Sequence, residues 1–86
     1  MPEISRFFAI IIRMYFNDHA PSHFHAIYGD YEAMFSIATG KILEGKFPEK
    51  QKILVQAWAI MNKDALVKNW EICRAGGKLK KIKGLD

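Results

Sequence analysis

The chain has 86 residues, of which 50% are hydrophobic and 13% aromatic, and this size fits one domain with its own core. Its single cysteine, Cys73, excludes an intramolecular disulfide, and its longest apolar run, Phe7 to Ile12, is far shorter than the about 20 residues of a membrane-spanning helix. The formal net charge is +4, with lysines concentrated near the C-terminal end. These features, with no signal-peptide pattern, predict a cytoplasmic protein that does not enter a membrane.

The first half of the chain predicts an antiparallel meander. Its segments are rich in aromatic and β-branched residues and are separated by turn residues, such as Asn17-Asp18 and Thr39-Gly40. Gly29-Asp30 predicts a two-residue hairpin, because a type II′ turn requires glycine at its first central position. The four predicted strands cover residues 7–16, 23–28, 31–37 and 41–46.

The second half predicts two helices. Pro48 suits the first turn of a helix, where its missing N–H costs nothing, and Asn62 divides this helix from the next. Gly76-Gly77 ends the second helix, since glycine readily adopts the left-handed conformation beyond a helix terminus. The apolar residues at helical spacing are Ile53, Leu54, Ala57, Trp58 and Met61, and then Leu66, Val67, Trp70 and Cys73, with Arg74 on the same side.

The predicted fold is therefore α+β, with a four-stranded antiparallel meander followed by two helices on one face of the sheet. Residues 1–86 form one domain, and residues 78–86 form a basic segment that is expected to be flexible. Trp58, Trp70 and Cys73 are interpreted as core residues. The full predicted core is Ile10, Ile12, Phe24, Ala26, Phe35, Ile37, Leu54, Trp58, Leu66 and Trp70.

The hairpin register predicts which side chains share a face. If Tyr28 pairs with Tyr31, then Phe24 pairs with Phe35, and this apolar face receives the helices. The opposite, outward face then carries His23, His25 and Glu32. On the first strand, Arg13 and Tyr15 alternate with apolar residues and join this same face.

All three histidines lie between His19 and His25, which makes this the most informative part of the sequence for function. Histidine titrates near neutral pH and is the commonest metal ligand. A metal site would use His19, His23 and His25, with Asp18 or Glu32 as a carboxylate. The spacing matches no strong zinc signature, so neither a metal nor another cofactor is expected.

A second possibility is metal-independent RNA cleavage. One histidine would act as general base or acid, with Glu32 as its partner and Arg13 holding a phosphate. The candidate catalytic residues are His23, His25, Glu32, Arg13 and Tyr15.

The basic C-terminal segment offers a further hypothesis. Lysines at a chain end are commonly solvated, but they also supply phosphate contacts in nucleic-acid-binding proteins. The candidate residues for contact with RNA or DNA are Lys78, Lys80, Lys81 and Lys83.

Several strings of the sequence carry a resemblance to a known family: Ile4 to Phe8, Ile12 to Phe16, Asp18-His19, Pro21, His23 to His25, Tyr28-Gly29, Asn69 to Glu71 and Ala75-Gly76. Together they resemble one bacterial family, domain of unknown function number forty-one sixty. The family often has proline at the position of Ser22, and this chain departs from it there.

The resemblance implies a partner rather than a chemistry. Genes of this family often lie beside those of a second small family, number twenty-four forty-two, in a toxin–antitoxin-like arrangement. We therefore predict an interaction module, rather than an enzyme, that pairs with a small protein through the exposed sheet face or a sheet edge. The metal-independent ribonuclease, or an RNA-binding module that uses the same face, is the alternative. The resemblance carries over no catalytic or metal residue, and a homo-oligomer stays open.

Overall fold

The computed structural model describes residues 3–15 and 19–86, which form an α+β domain. Five antiparallel strands lie in chain order across one sheet, and two helices follow. Among the described residues, neither helix is long and apolar enough to cross a membrane. The elements are β1 Glu3–Phe7, β2 Ile10–Arg13, β3 His23–Tyr28, β4 Tyr31–Ser36, β5 Ile42–Lys46, α1 Glu49–Met61 and α2 Lys63–Arg74.

The sheet has five strands where the sequence predicts four, because the predicted first strand, residues 7–16, starts at the last residue of β1 and contains the turn into β2. The chain turns at Phe8 and Ala9, whose φ angles are 48° and 63°. Such a turn usually contains Asn or Gly, and an ordinary residue held in the left-handed region costs roughly 1–2 kcal/mol. The apolar sequence therefore conceals the reversal. Phe16 and the turn predicted at Asn17-Asp18 lie outside the described residues.

The predicted register of the second hairpin is confirmed. His23 pairs with Ser36, Phe24 with Phe35 and Tyr28 with Tyr31. Gly29 has a φ of 58°, the positive value that the first position of a II′ turn needs.

The core lies between the sheet and the helices. The stacked rings of Phe24 and Phe35 lie on the inner face, and Trp58 of α1 contacts Phe24 and Phe7 at ring-centroid distances of 5.7 and 5.3 Å. Every predicted core residue is buried except Leu54, which is half-buried and packs against the cluster.

The inward side of α1 differs from the predicted one. Val55, Trp58 and Ala59 are buried, whereas Ile53 and Met61 are exposed. Both sides of this helix are apolar, so the spacing of apolar residues alone does not select the buried side. In α2, Leu66, Trp70 and Cys73 are buried as predicted, but Val67 and Arg74 are exposed.

The basic C-terminal segment is packed on the domain instead of extending from it. The Ile82 N–H donates to the carbonyl of Ile4 in β1 at 2.7 Å, and the Trp58 indole donates to the carbonyl of Lys83 at 2.9 Å. Apolar residues recur every third position in this segment, and these residues pack against the core: Leu79, Ile82 and Leu85. The segment packs on the domain because these three apolar residues share one side of it, a pattern that its high lysine content makes hard to recognise in the sequence.

Candidate functional site

The five candidate catalytic residues share the outer face of the sheet. Arg13 of β2 pairs with His25 of β3, and Ile27 beside His25 pairs with Glu32 of β4. The Tyr15 ring meets the His25 ring edge-on, with centroids 4.4 Å apart. We call this group the histidine face: Arg13, Tyr15, His23, His25 and Glu32.

His25 is the centre of the histidine face. Its Nδ1 lies 3.4 Å from Oε2 of Glu32, and its side chain is 13% exposed, whereas the Glu32 side chain is 56% exposed. This separation is longer than a usual N–H···O hydrogen bond, so the Glu32 carboxylate lies beside the ring without fixing its tautomer. The arrangement places a carboxylate next to a histidine, the residue types that general acid–base chemistry uses.

His23 lies on the predicted face but is buried, at 3% exposure. The Trp70 ring of α2 covers it, with ring centroids 5.1 Å apart, and the His25 ring lies 5.3 Å away. Its Nδ1 is 2.8 Å from the carbonyl of Pro21, which fixes the proton on Nδ1. The expected outward position is therefore wrong for His23, because α2 reaches the end of the sheet where β3 begins.

Arg13 carries the positive charge of this face. Among the described residues, its buried Nε has no hydrogen-bond partner. On the neighbouring strand, Glu3 pairs with Arg13, and the Arg6 guanidinium bonds to the Glu3 carboxylate at 2.8 Å. The hydrogen bond from Arg6 lowers the pKa of Glu3, and the charges of Arg6, Lys81 and Arg13 lower it further. Three cations thus surround one carboxylate at this end of the sheet.

A shallow depression of about 250 Å³ opens beside His25 and Glu32. Its other walls include Met34 and Glu44, which pair across β4 and β5, and Gly45. Sequence reasoning missed Glu44. A two-residue turn at Thr39-Gly40 would place Glu44 opposite Phe35, and the register shift between Met34 and Phe35 brings it opposite Met34 instead.

Gly45 shapes this depression because its backbone approaches β4 closely. Its φ is 92°, and a Cβ there would overlap the carbonyl oxygen of Glu32. Only glycine accommodates both the left-handed conformation and the close contact. The register of β4 and β5 shifts nearby, between Met34 and Phe35.

The metal hypothesis uses residues that the structure only partly describes. His19 is exposed, His23 is buried and Asp18 lies outside the described residues. In residues 3–15 and 19–86, no group of three or more His, Cys, Asp or Glu side chains is suited to hold a metal ion.

The four candidate lysines are all exposed on the packed C-terminal segment. The charge of Lys81 lowers the pKa of Glu3, so this lysine lies near Glu3. Lys80 is fixed through its backbone, because Asn69 of α2 donates to its carbonyl at 2.8 Å and accepts from its N–H at 3.1 Å. Sequence reasoning missed Asn69, a buried polar residue.

Cys73 contributes to packing. Its thiol is buried and lies 3.1 Å from the carbonyl of Tyr15, to which it donates. This bond joins α2 to the segment that carries Tyr15 into the histidine face.

The fold and the site define a small α+β domain with His25 on the side of its sheet that faces away from the core, and with His23 buried next to it under Trp70. The family described as "Domain of unknown function (DUF4160)" matches residues 9–71, and the chain belongs to this family. Comparison with curated proteins and with solved structures gave no match. The resemblance noted in the sequence is thereby confirmed.

Proposed function

We propose that this chain is a metal-independent ribonuclease that acts as one component of a two-gene, toxin–antitoxin-like module in the bacterial cytoplasm. The observation that carries the proposal is the pairing of His25 with Glu32 at 3.4 Å on a face that also bears Arg13 and Tyr15. A histidine beside a carboxylate and a cation is the minimum set for moving a proton next to a phosphate.

The proposed reaction transfers a phosphoryl group within the RNA chain. Nε2 of His25 takes the proton of a ribose 2′-hydroxyl, and the resulting oxygen attacks the adjacent phosphorus. The bond to the 5′-oxygen breaks, and the Tyr15 hydroxyl gives that oxygen a proton. The products are a 2′,3′-cyclic phosphate and a 5′-hydroxyl, and His25 returns the proton to Tyr15 through solvent.

The remaining residues of the face support these two. Glu32 stabilises the charged form of the His25 ring after proton uptake. Arg13 pairs with the phosphate as negative charge develops on its oxygens. Because His23 is buried under Trp70, it acts as a positioning residue that supports the His25 ring from the side.

The basic segment supports RNA as the substrate. The chain has a net charge of +4, and the four candidate lysines 78, 80, 81 and 83 are exposed. Contacts of this kind neutralise phosphates without reading bases, so binding should weaken steeply with salt. We therefore expect cleavage with little base preference beyond the reacting nucleotides.

Purified protein in EDTA, incubated with a short labelled RNA, tests the proposal. Cleavage should leave a 2′,3′-cyclic phosphate, and a substrate with a 2′-deoxyribose at the scissile position should stay intact. His25→Ala should reduce the rate by a factor of about 100 or more, in line with loss of a general base. Glu32→Gln should give a smaller loss. Lys68→Ala, on the exposed side of α2, is the matched control.

Expression in growing bacteria provides the second measurement. The wild-type chain should arrest growth, and His25→Ala should relieve the arrest at equal protein level. Unrestricted growth at high expression, combined with intact RNA in the purified assay, would exclude the ribonuclease.

A second candidate function is protein binding alone, in which the chain pairs with the small protein encoded by the neighbouring gene. The specific observation is the outer edge of β5, beside which the structure describes no further strand, and where Leu43 is 45% exposed. An unpaired edge invites addition of a strand from a partner or a second copy. Co-expression followed by co-purification tests this function, and a chain that remains monomeric and unbound would contradict it.

A further inference from the structure

The solvent-facing side of α1 is apolar, which is unusual for a helix that covers a core. Ile53 is 54% exposed, Ile60 is 73% exposed and Met61 is 72% exposed. Ile53, Ala57 and Ile60 follow at spacings of four and three residues, so they form one stripe opposite the buried Trp58 side. This stripe contributes nothing to the core of the described domain.

Phe8 extends the stripe beyond the helix. Phe8 is 49% exposed, and its backbone adopts a φ of 48°. Together with Leu54 it lines a depression of about 430 Å³. The Phe8 N–H donates to Asp86 at 3.0 Å, which holds the turn in place. We call the combined patch the α1 surface: Phe8, Ile53, Leu54, Ala57, Ile60 and Met61.

Depressions flank the stripe, and each contains a lysine. Lys50 lies beside Phe8, Lys63 beside Ile60 and Lys83 beside Met61. Among the described residues that line these depressions, Asp64 is the only acid. Asp86 adds a second acid beside Phe8, and Lys52 engages Glu49 at 3.1 Å. Lysines 50, 63 and 83 thus outnumber Asp64 and Asp86 around the stripe.

We propose that the α1 surface binds an acidic amphipathic helix of a partner protein. An apolar stripe along a helix, flanked by depressions, accepts the side chains of a second helix at i, i+3, i+4 and i+7. The lysines around the stripe select glutamate and aspartate beside those anchors.

This inference is independent of the proposed ribonuclease, because none of its residues belongs to the histidine face. α1 packs on the inner side of the sheet through Trp58 and Phe24, whereas His25 lies on the outer side. Substitutions on one surface should therefore leave the other unchanged.

Two synthetic helices test the proposal with the full chain. Both carry leucines at i, i+3, i+4 and i+7, and the remaining positions are mostly glutamate in one and lysine in the other. Calorimetric titration should show that the acidic helix binds, at least about tenfold more tightly than the basic one. Ile60→Glu should weaken this binding by about tenfold or more, and the milder Ile60→Ser should also weaken it.

Val67→Glu on α2 is the matched control, since it introduces the same charge at an exposed apolar residue, and it should bind like the wild type. Circular dichroism should show all variants folded. Equal affinity for the two helices, binding of neither, or binding that survives both Ile60 substitutions would overturn the proposal. So would a wild-type dimer that Ile60→Glu dissociates, or binding to anionic lipid vesicles that Ile60→Glu abolishes.

Discussion

The Asn69 side chain binds the C-terminal segment to α2, and a substitution that removes this side chain should lower the stability of the domain substantially. The side chain is 2% exposed. It makes two hydrogen bonds to the backbone of Lys80, at 2.8 and 3.1 Å. Asn69→Ala leaves both backbone groups without their partner, at a cost of about 1–3 kcal/mol for each buried group.

Partial release of the segment limits the loss, since water can then reach the Lys80 backbone. We therefore expect the free energy of unfolding to fall by about 2–3 kcal/mol. For a domain of this size, that loss corresponds to a drop in Tm of about 10–20 °C. Asn69→Asp keeps the acceptor for the Lys80 N–H but loses the donor, so it should show an intermediate loss.

Urea unfolding and amide exchange measure these two effects separately. Lys80→Ala is the matched control, because it keeps the backbone bonds and removes only an exposed side chain, so its stability should stay close to that of the wild type. Exchange of amides in residues 79–83 should accelerate in Asn69→Ala. A loss below about 0.5 kcal/mol, with slow exchange retained, would refute the view that Asn69 holds the segment.

Three further substitutions test local features of the fold. The Glu3 carboxylate contributes stability that is present above the ordinary pKa of glutamate and is lost as the pH falls through the lowered pKa of Glu3, and Glu3→Gln should remove this contribution. Acid titration of the unfolding free energy measures the difference between Glu3→Gln and the wild type. We expect less than about 1 kcal/mol, because the pair with Arg6 is largely exposed. Gly45→Ala should destabilise the domain by about 1–3 kcal/mol in urea unfolding, since its Cβ would overlap the Glu32 carbonyl at a positive φ. Ala9→Gly should raise stability by up to about 1 kcal/mol in the same assay, because glycine relieves the left-handed strain at a φ of 63°. An unchanged acid profile, an unaffected Gly45→Ala protein or a destabilised Ala9→Gly protein would contradict the respective argument.

The sheet register could be predicted because a single glycine turn fixes it. Once Gly29 defines the hairpin, strand alternation decides the face of every residue from His23 to Ser36. The same alternation placed Arg13 and Tyr15 with His25. Strand alternation does not predict which residues of a face are buried by other elements. His23 is buried by Trp70, which lies far from it in the sequence.

The other differences between prediction and structure, the turn after β1 and the buried side of α1, have one physical origin. In both places apolar residues occur in buried and in exposed positions. The run from Phe7 to Ile12 contains both a turn and strands, because Phe8 and Ala9 adopt positive φ without a typical turn residue. In α1, Ile53 and Trp58 are both apolar, but Ile53 faces solvent and Trp58 faces the core. Composition reports hydrophobicity, but tertiary contacts decide which apolar residues are buried.

The arrangement of the two proposed surfaces predicts how they would act together. The histidine face and the α1 surface lie on opposite sides of the sheet, in a molecule whose shortest extent is 22 Å. A single helix bound to α1 cannot cover His25, so a partner that blocks RNA cleavage needs a second segment that reaches around a sheet edge. The β5 edge offers such a route, because Glu44 and Gly45 line the depression beside His25.

This geometry makes the two functions separable by mutation. Ile60→Glu should weaken binding of the acidic helix by about tenfold or more while RNA cleavage stays at the wild-type rate. His25→Ala should slow cleavage by a factor of about 100 or more while the helix binds normally. Titrating the acidic synthetic helix into a cleavage assay should leave the rate unchanged even at saturation. Inhibition by that helix alone would show that the α1 surface and the histidine face are coupled through the sheet, and it would refute their independence.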